Sequence, residues 1–354
     1  MAELTFDNIG ISHLQACVPK NTIVNRRYTD YFSKEEADAI VDKTGIEERR
    51  FAKEGVCSSD LVYDAAKKLI DENSIDISQI KFLIFVSQTA DYKMPASSVI
   101  LQHRLGLGQD CMAFDMNLGC SGFVYGLSNM YSLVQSASSD DAKGLLLVGE
   151  TRSRVYSARD RKTAYLFGDG GVACLISKGL KYGKSHFDLN SNGELENLIK
   201  INTGGSRNPS TVDSLTMEIV DSHGNIRTEE HGYMDGTEVF NFVISNIPKS
   251  VKSFLDKIKL PPQDVSFFVF HQANKFMNNH LKKKLRIPNE KYISNLDRFG
   301  NTSSVSIPLV ISTEMLNNTL DKSNTLLCGF GVGMSWANAM LDLNHTQIGG
   351  LLEC

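Results

Sequence analysis

The chain has 354 residues, 42% hydrophobic and 22% charged, with a formal net charge of −4. It is long enough for one large core or two related ones, and its charge gives no reason to expect nucleic-acid binding. Its seven cysteines, at 17, 57, 111, 120, 174, 328 and 354, form no CxxC pair and no Cys/His ligand spacing. That argues against a disulfide scaffold or a zinc site and for a reducing, cytoplasmic setting. No leader of basic then apolar residues is apparent at the N-terminus, and no apolar run reaches membrane-spanning length.

In chain order, residues 6–18 read as a strand with a polar break, ended by Pro19. A helical period covers 29–42, and a charged turn runs from Thr44 to Arg50. An amphipathic helix over 59–73 puts Leu61, Ala65, Ala66, Leu69 and Ile70 on one face. Residues 80–86 form a buried strand, and Pro95 opens a helix over 96–105. Phe114 to Met116 lead as a short strand into Gly119-Cys120-Ser121, and a helix follows to about 135, with Phe123, Leu127, Met130 and Val134 at helical spacing. Residues 143–148 are another buried strand. Phe167 to Gly171 read as a tight glycine turn lacking the lysine of a phosphate loop, with a strand over 172–176. Residues 178–235 are polar and glycine-rich and read as a surface excursion with an edge hairpin. Beyond it come a helix over 237–257 that Pro248 would kink, a strand over 265–270 delivering His271, and a helix over 276–285. Asn301 to Ser304 open a helix over 305–317. A strand over 325–328 ends in Gly329 to Gly333, and a last strand covers 334–342.

The two halves repeat. Lys81 to Gln88 (KFLIFVSQ) resembles Ser266 to Gln272 (SFFVFHQ). The turn at Gly119-Cys120 into a helix resembles the turn at Gly300-Asn301. Gly144 to Gly149 (GLLLVG) resembles Asn324 to Gly329 (NTLLCG). The pairs keep one order and an offset of roughly 180 residues, the mark of an internal duplication. Strand–helix–strand units in each half predict an α/β protein of two duplicated halves, 1–178 and 179–354, packed about a pseudo-twofold axis. Cys120, His271 and Asn301 each follow a predicted strand at corresponding places. In open α/β sheets sites form beyond the carboxyl ends of strands, which predicts one shared pocket.

Each of the three has a plain structural use: a packed cysteine, a satisfied core histidine, a helix N-cap asparagine. Together they carry chemistry. A cysteine at a helix start feels unpaired N–H groups and the positive end of the helix dipole, which favour the thiolate. Cys with His is a nucleophilic pairing, and an amide can donate to a developing oxyanion.

These residues resemble the thiolase-fold condensing enzymes, most closely 3-oxoacyl-[acyl-carrier-protein] synthase III. The resemblance rests on Gly119 to Phe123 (GCSGF), Phe167 to Gly170 (FGDG), Asp235 to Phe240 (DGTEVF), His271 to Asn274 (HQAN), Gly300 to Ser303 (GNTS) and Gly329 to Gly333 (GFGVG), in family order over most of the chain. It implies a duplicated α-β-α-β-α fold, a homodimer, and neither metal nor redox cofactor. By the same resemblance Cys120 carries an acyl group taken from an acyl thioester on coenzyme A or acyl carrier protein. The backbone amides of Cys120 and Val332 form the oxyanion hole. His271 and Asn301 hold malonyl carrier protein as it loses carbon dioxide, and the carbanion makes a 3-oxoacyl thioester. Arg161, Met94, Gly236, Phe240 and Asn274 fall at substrate-binding positions. Ala39 stands where members using a coenzyme A primer carry a tryptophan. Asn241 and Phe276 replace basic carrier-docking residues, for which Lys249, Lys252, Lys275, Lys282, Lys283 and Lys284 offer a substitute face. These departures point to a specialised pathway rather than routine initiation of fatty-acid synthesis. Two other readings compete: acyl transfer from Cys120 to an oxygen or nitrogen acceptor without decarboxylation, and a non-catalytic scaffold.

Overall fold

The computed structural model describes residues 2–317 and 319–354. Two sheets organise the chain. The first contains β2 (Ile9–Val18), β3 (Ile80–Val86), β4 (Met112–Met116), β5 (Lys143–Thr151), β6 (Asp169–Lys178) and β11 (Gln347–Glu353), in the order β11-β2-β6-β5-β3-β4. The second contains β1 (Ala2–Asp7), β7 (Lys184–Ser191), β8 (Phe267–Phe270), β9 (Thr325–Gly331) and β10 (Ser335–Leu341), in the order β1-β7-β10-β9-β8.

The duplication is visible in the pairing. β3 runs parallel to β5, β5 antiparallel to β6, and β6 antiparallel to β2; β8, β9, β10 and β7 repeat that series. Where β4 lies parallel to β3, the second sheet keeps a single parallel bridge between Phe268 and Tyr292.

Helices complete five layers. α2 (Ser58–Glu72) and α3 (Ser97–Arg104) cover the outer face of the first sheet, and α5 (Gly236–Lys257) and α6 (Lys275–Leu285) that of the second. Between the sheets lie α4 (Gly122–Ser136) and α8 (Ser306–Glu314), inside the largest apolar cluster. The middle layer must be apolar all round, and α4 buries Phe123, Val124, Leu127, Met130, Tyr131 and Val134. The outer α2 needs only one stripe, and the five residues expected there are buried.

Several expectations are corrected. The helix after Thr29 begins only at α1 (Lys34–Thr44), because Ser33 and Glu36 form a capping box that sets the start. Phe167 to Gly171 is not a free-standing turn: β6 already begins at Asp169. Its glycines are there for proximity, since a Cβ on Gly171 would meet the backbone of Leu61 and Val62 at 2.8 Å. Residues 184–191 are not surface excursion but β7, inside the second sheet; their polar side chains hid the strand. The excursion proper starts after Ser191 and holds two two-stranded ladders, Ile199–Lys200 with Tyr233–Met234 and Glu218–Ile219 with Ile226–Arg227. The helix after Asn301 is α8, ending at Glu314 rather than 317. α7 (Leu296–Phe299) is a single turn before Gly300. Nor is β10 the last strand: β11 follows it.

The polar break within 6–18 has a structural meaning. Asn8 takes a left-handed φ of 59°, a conformation asparagine tolerates. There the chain steps from β1 in the second sheet to β2 in the first. β11 pairs parallel with β2 in return. A cut at residue 178 leaves each half with one strand in the other's sheet.

Gly171→Ala is expected to lower stability by about 1–3 kcal/mol through forced separation of α2 from β6. Gly193→Ala, whose Cβ meets nothing within 4 Å, serves as the control in urea unfolding; equal midpoints for the two variants would refute the close-approach account.

Candidate active site

Cys120 sits half-buried between β4 and α4. The turn closes with a Gly122 N–H bond to the Gly119 carbonyl at 2.6 Å. β9 passes directly against it: a Cβ on Gly331 would lie 2.7 Å from both Cβ and Sγ of Cys120. Ser121 Oγ lies 2.7 Å from Ser335 Oγ, and the Ser335 hydroxyl donates to the Val332 carbonyl at 2.8 Å. This hydroxyl relay fixes the Val332 loop relative to the cysteine turn.

His271 comes from the end of β8 and is buried. Its N–H bonds the Cys328 carbonyl at 2.8 Å, and the Asn278 side-chain amide donates to its carbonyl at 3.1 Å. The imidazole Nδ1 lies 2.8 Å from Ser306 Oγ, whose proton goes to the Ser303 carbonyl at 2.8 Å. Ser306 can therefore only accept from the ring, which assigns a proton to Nδ1 and turns Nε2 toward chemistry. Phe330 packs edge-on to the ring at 5.4 Å.

Asn301 belongs to the loop between α7 and α8. Its backbone N–H reaches the Leu166 carbonyl at 2.8 Å, and its carbonyl accepts from Gly168 at 3.1 Å. The FGDG segment thus anchors the asparagine across the two halves. Asn301 Oδ1 accepts the Ser303 N–H at 2.9 Å. With the oxygen occupied, the side-chain NH₂ is left to donate. Ser303 holds a left-handed φ of 54° and puts its hydroxyl 3.9 Å from Cys120 Sγ.

One narrow cavity, about 80 Å³, is lined by Cys120, His271, Asn301, Val332, Gly236 and Asn274 among others. Asn274 also caps α6, its Oδ1 accepting the Met277 N–H at 2.8 Å. Three other sequence candidates lie elsewhere. Arg161 pairs with Glu36 at 3.3 Å, beside Phe32. Met94 is 83% exposed. Phe240 stacks on Phe276 at 5.1 Å.

Burial alone would push the Cys120 thiol up. The neighbouring His271 imidazole outweighs it, with help from Arg152 and Ser303, and brings the group down to about 7. The other interior thiols have no such neighbours: burial raises Cys174 and Cys328 above the ordinary range.

Known proteins resemble the chain over most of its length. Residues 114–193 match the family described as 3-oxoacyl-[acyl-carrier-protein (ACP)] synthase III, and residues 255–343 match its C-terminal part. The chain is 34% identical over 337 residues to a β-ketoacyl-[acyl-carrier-protein] synthase III of Fusobacterium nucleatum, covering 94% of this chain and 98% of that one.

The chain belongs to the 3-oxoacyl-[acyl-carrier-protein] synthase III family.

The synthase of Staphylococcus saprophyticus is likewise 34% identical, with the same coverage. The solved 3-oxoacyl-(acyl-carrier protein) synthase of Burkholderia xenovorans superposes with a TM-score of 0.92 at 33% identity, covering 100% of this chain and 99% of that one. The chain is thus a condensing enzyme of the synthase III type, with the thiolase-like α-β-α-β-α fold. Among the described residues no helix is long and apolar enough to cross a membrane.

Sequence reading missed Arg152, Tyr156, Ser303 and Ser306 around the synthase III cavity. Ser303 and Ser306 were within reach, at fixed offsets from Asn301. Arg152 carried no signal, because an arginine after a strand reads as surface.

Alkylation of Cys120 by iodoacetamide is expected to follow a titration with its midpoint near pH 7, the thiolate accumulating as pH rises through that value. In His271→Ala the midpoint is expected to move up toward an ordinary thiol. An unchanged midpoint would show that the imidazole does not set the thiolate.

Proposed function

We propose that Cys120 and His271 rest as a thiolate–imidazolium pair and run a two-step decarboxylative condensation. The thiolate attacks the carbonyl carbon of an acyl thioester. The carrier thiolate leaves and takes a proton from solvent, while His271 keeps its own. The backbone amides of Cys120 and Val332 receive the developing oxyanion, in positions the Ser121–Ser335 relay supports. A malonyl thioester then enters, and its thioester carbonyl accepts from His271 Nε2–H and the Asn301 NH₂. Carbon dioxide departs, those donors hold the enolate, and its carbon attacks the acyl-cysteine. The 3-oxoacyl thioester leaves, and the Cys120 thiolate returns beside the imidazolium, so protons balance. The single observation that carries this reading is the occupied Oδ1 of Asn301, which leaves a donor facing the same cavity as the thiol.

The partners follow: an acyl thioester on coenzyme A or acyl carrier protein, and malonyl carrier protein. Exposed Lys249, Lys252, Lys275, Lys283 and Lys284 on α5 and α6 supply a cationic face for an acidic carrier. Ala39, exposed on α1, the helix whose Glu36 pairs with Arg161, supports a donor other than coenzyme A. A cytoplasmic homodimer completes the reading. Met112 on the edge strand β4, Val99 on α3, and Tyr92 and Met94 in the segment before α3 are exposed apolar residues that a second copy would cover. Light scattering of the purified protein checks this; a monomer at micromolar concentration would refute the dimer.

Intact-mass analysis after mixing with acyl donors, followed by carbon dioxide release from malonyl carrier protein, tests the chemistry. Cys120→Ala is expected to lose the acyl adduct. Asn301→Ala is expected to keep the adduct and lose about 10²–10³-fold in decarboxylation. Acylation without carbon dioxide release by the intact enzyme would instead favour transfer to an oxygen or nitrogen acceptor.

A further inference from the structure

Arg152 is the outlier of the cavity. It follows the buried run of β5, is 6% exposed, and lines the space beside Cys120. Most of its neighbours there are apolar, among them Leu166, Phe167, Met234, Val239 and Phe330. A guanidinium has five N–H donors and cannot shed its charge. Here Nη2 donates to the Tyr156 hydroxyl at 2.8 Å, and Nη1 reaches Gln88 Oε1 only at 3.4 Å. Nε is buried with no partner.

No carboxylate hydrogen-bonds it, although the buried Glu150 carboxylate acts on it through space. Among the described residues no ion pair involves Arg152. Glu150, two residues earlier, instead accepts from the Gln88 N–H, Thr89 and Ser304. The guanidinium lies near the Tyr156 and Phe167 rings, 5.2 and 5.6 Å from their centroids, and those rings stack at 4.0 Å. Tyr156 spends its oxygen on Arg152, and its own proton has no acceptor among the described residues.

A buried cation with unused donors costs free energy unless something pairs with it. The Cys120 thiolate supplies negative charge nearby in the resting enzyme, and acylation removes it. A hydrocarbon acyl chain would then lie against buried guanidinium N–H groups that nothing accepts. A carboxylate on the chain would accept from Arg152 Nε and Nη and from the Tyr156 hydroxyl, the geometry in which arginine binds most strongly.

We propose that Arg152 and Tyr156 form an anion-binding subsite in the acyl cavity, and that the preferred acyl donor is the thioester of a dicarboxylic acid. The inference rests on the reading of Cys120 as the acylated residue. Arg152 here binds substrate and takes no part in bond making.

The test compares initial rates of Cys120 acylation, by quenched intact mass, with butyryl-, 4-hydroxybutyryl- and succinyl-pantetheine. The small common carrier removes coenzyme A and carrier-protein recognition from the comparison. Succinyl is expected to exceed butyryl by about ten- to a hundredfold in the native enzyme, the range a charged hydrogen bond gives. Arg152→Met should remove the preference, lowering succinyl far more than butyryl; Arg152→Lys should restore part of the succinyl preference. Butyryl equal to or faster than succinyl in the native enzyme overturns the subsite, and that result needs no variant to fold. An equal preference for 4-hydroxybutyryl overturns its anionic character. An equal fall of both rates in Arg152→Met overturns it too, because Arg152 would then serve only the thiolate. Acylation by none of the three, nor by acetyl or longer acyl donors, would sink the catalytic reading of Cys120 itself.

Discussion

A thiol enclosed between two sheets has every reason to stay protonated, because burial penalises the charged form. The whole site answers that penalty. The His271 imidazole does most to lower the thiol, Ser306 sets which ring nitrogen is left free, and the Arg152 guanidinium adds a smaller contribution. Cys174 and Cys328, fully buried and unassisted, are pushed up instead. Reactivity here comes from the second half of the chain acting on a residue of the first.

That cooperation requires the halves to meet closely, and small side chains make it possible. Gly331 lets β9 run past the sulfur, and Gly168 lets the start of β6 reach the Asn301 loop. The two central helices begin at matching places, so the duplicated turn puts a cysteine in one copy and an asparagine in the other. A single ancestral geometry has been given two chemistries by exchanging Cys120 for Asn301. The cavity lies where the two carboxyl-end loops converge.

Much of this was legible in the residues. The repeated KFLIFVSQ and SFFVFHQ strands, with GLLLVG and NTLLCG, announced the duplication, because buried parallel strands read as continuous apolar runs. His271 was legible because it follows such a strand; Asn301 was expected after a strand too, but it follows the helical turn α7, and only the repeated glycine turn marked it. What stayed hidden had physical reasons. β7 carries Lys184, His186, Asp188 and Asn190, so its alternation with Phe187 and Leu189 was masked by polarity, although it stands inside a sheet. The glycines of 168–171 read as a turn when they serve packing. Arg152 was invisible because a charged residue after a strand usually points to water; only the fold shows it turned inward. Arg161, Met94 and Phe240 lie away from the cavity within one chain.

The crossing of the terminal strands bears on how the molecule comes to exist. β2 leaves the ribosome long before its neighbour β11, which emerges more than three hundred residues later. Until then one flank of the first sheet stays open, an unpaired backbone edge of the kind that recruits other chains. The nascent protein is therefore committed to finishing both halves before either is sealed.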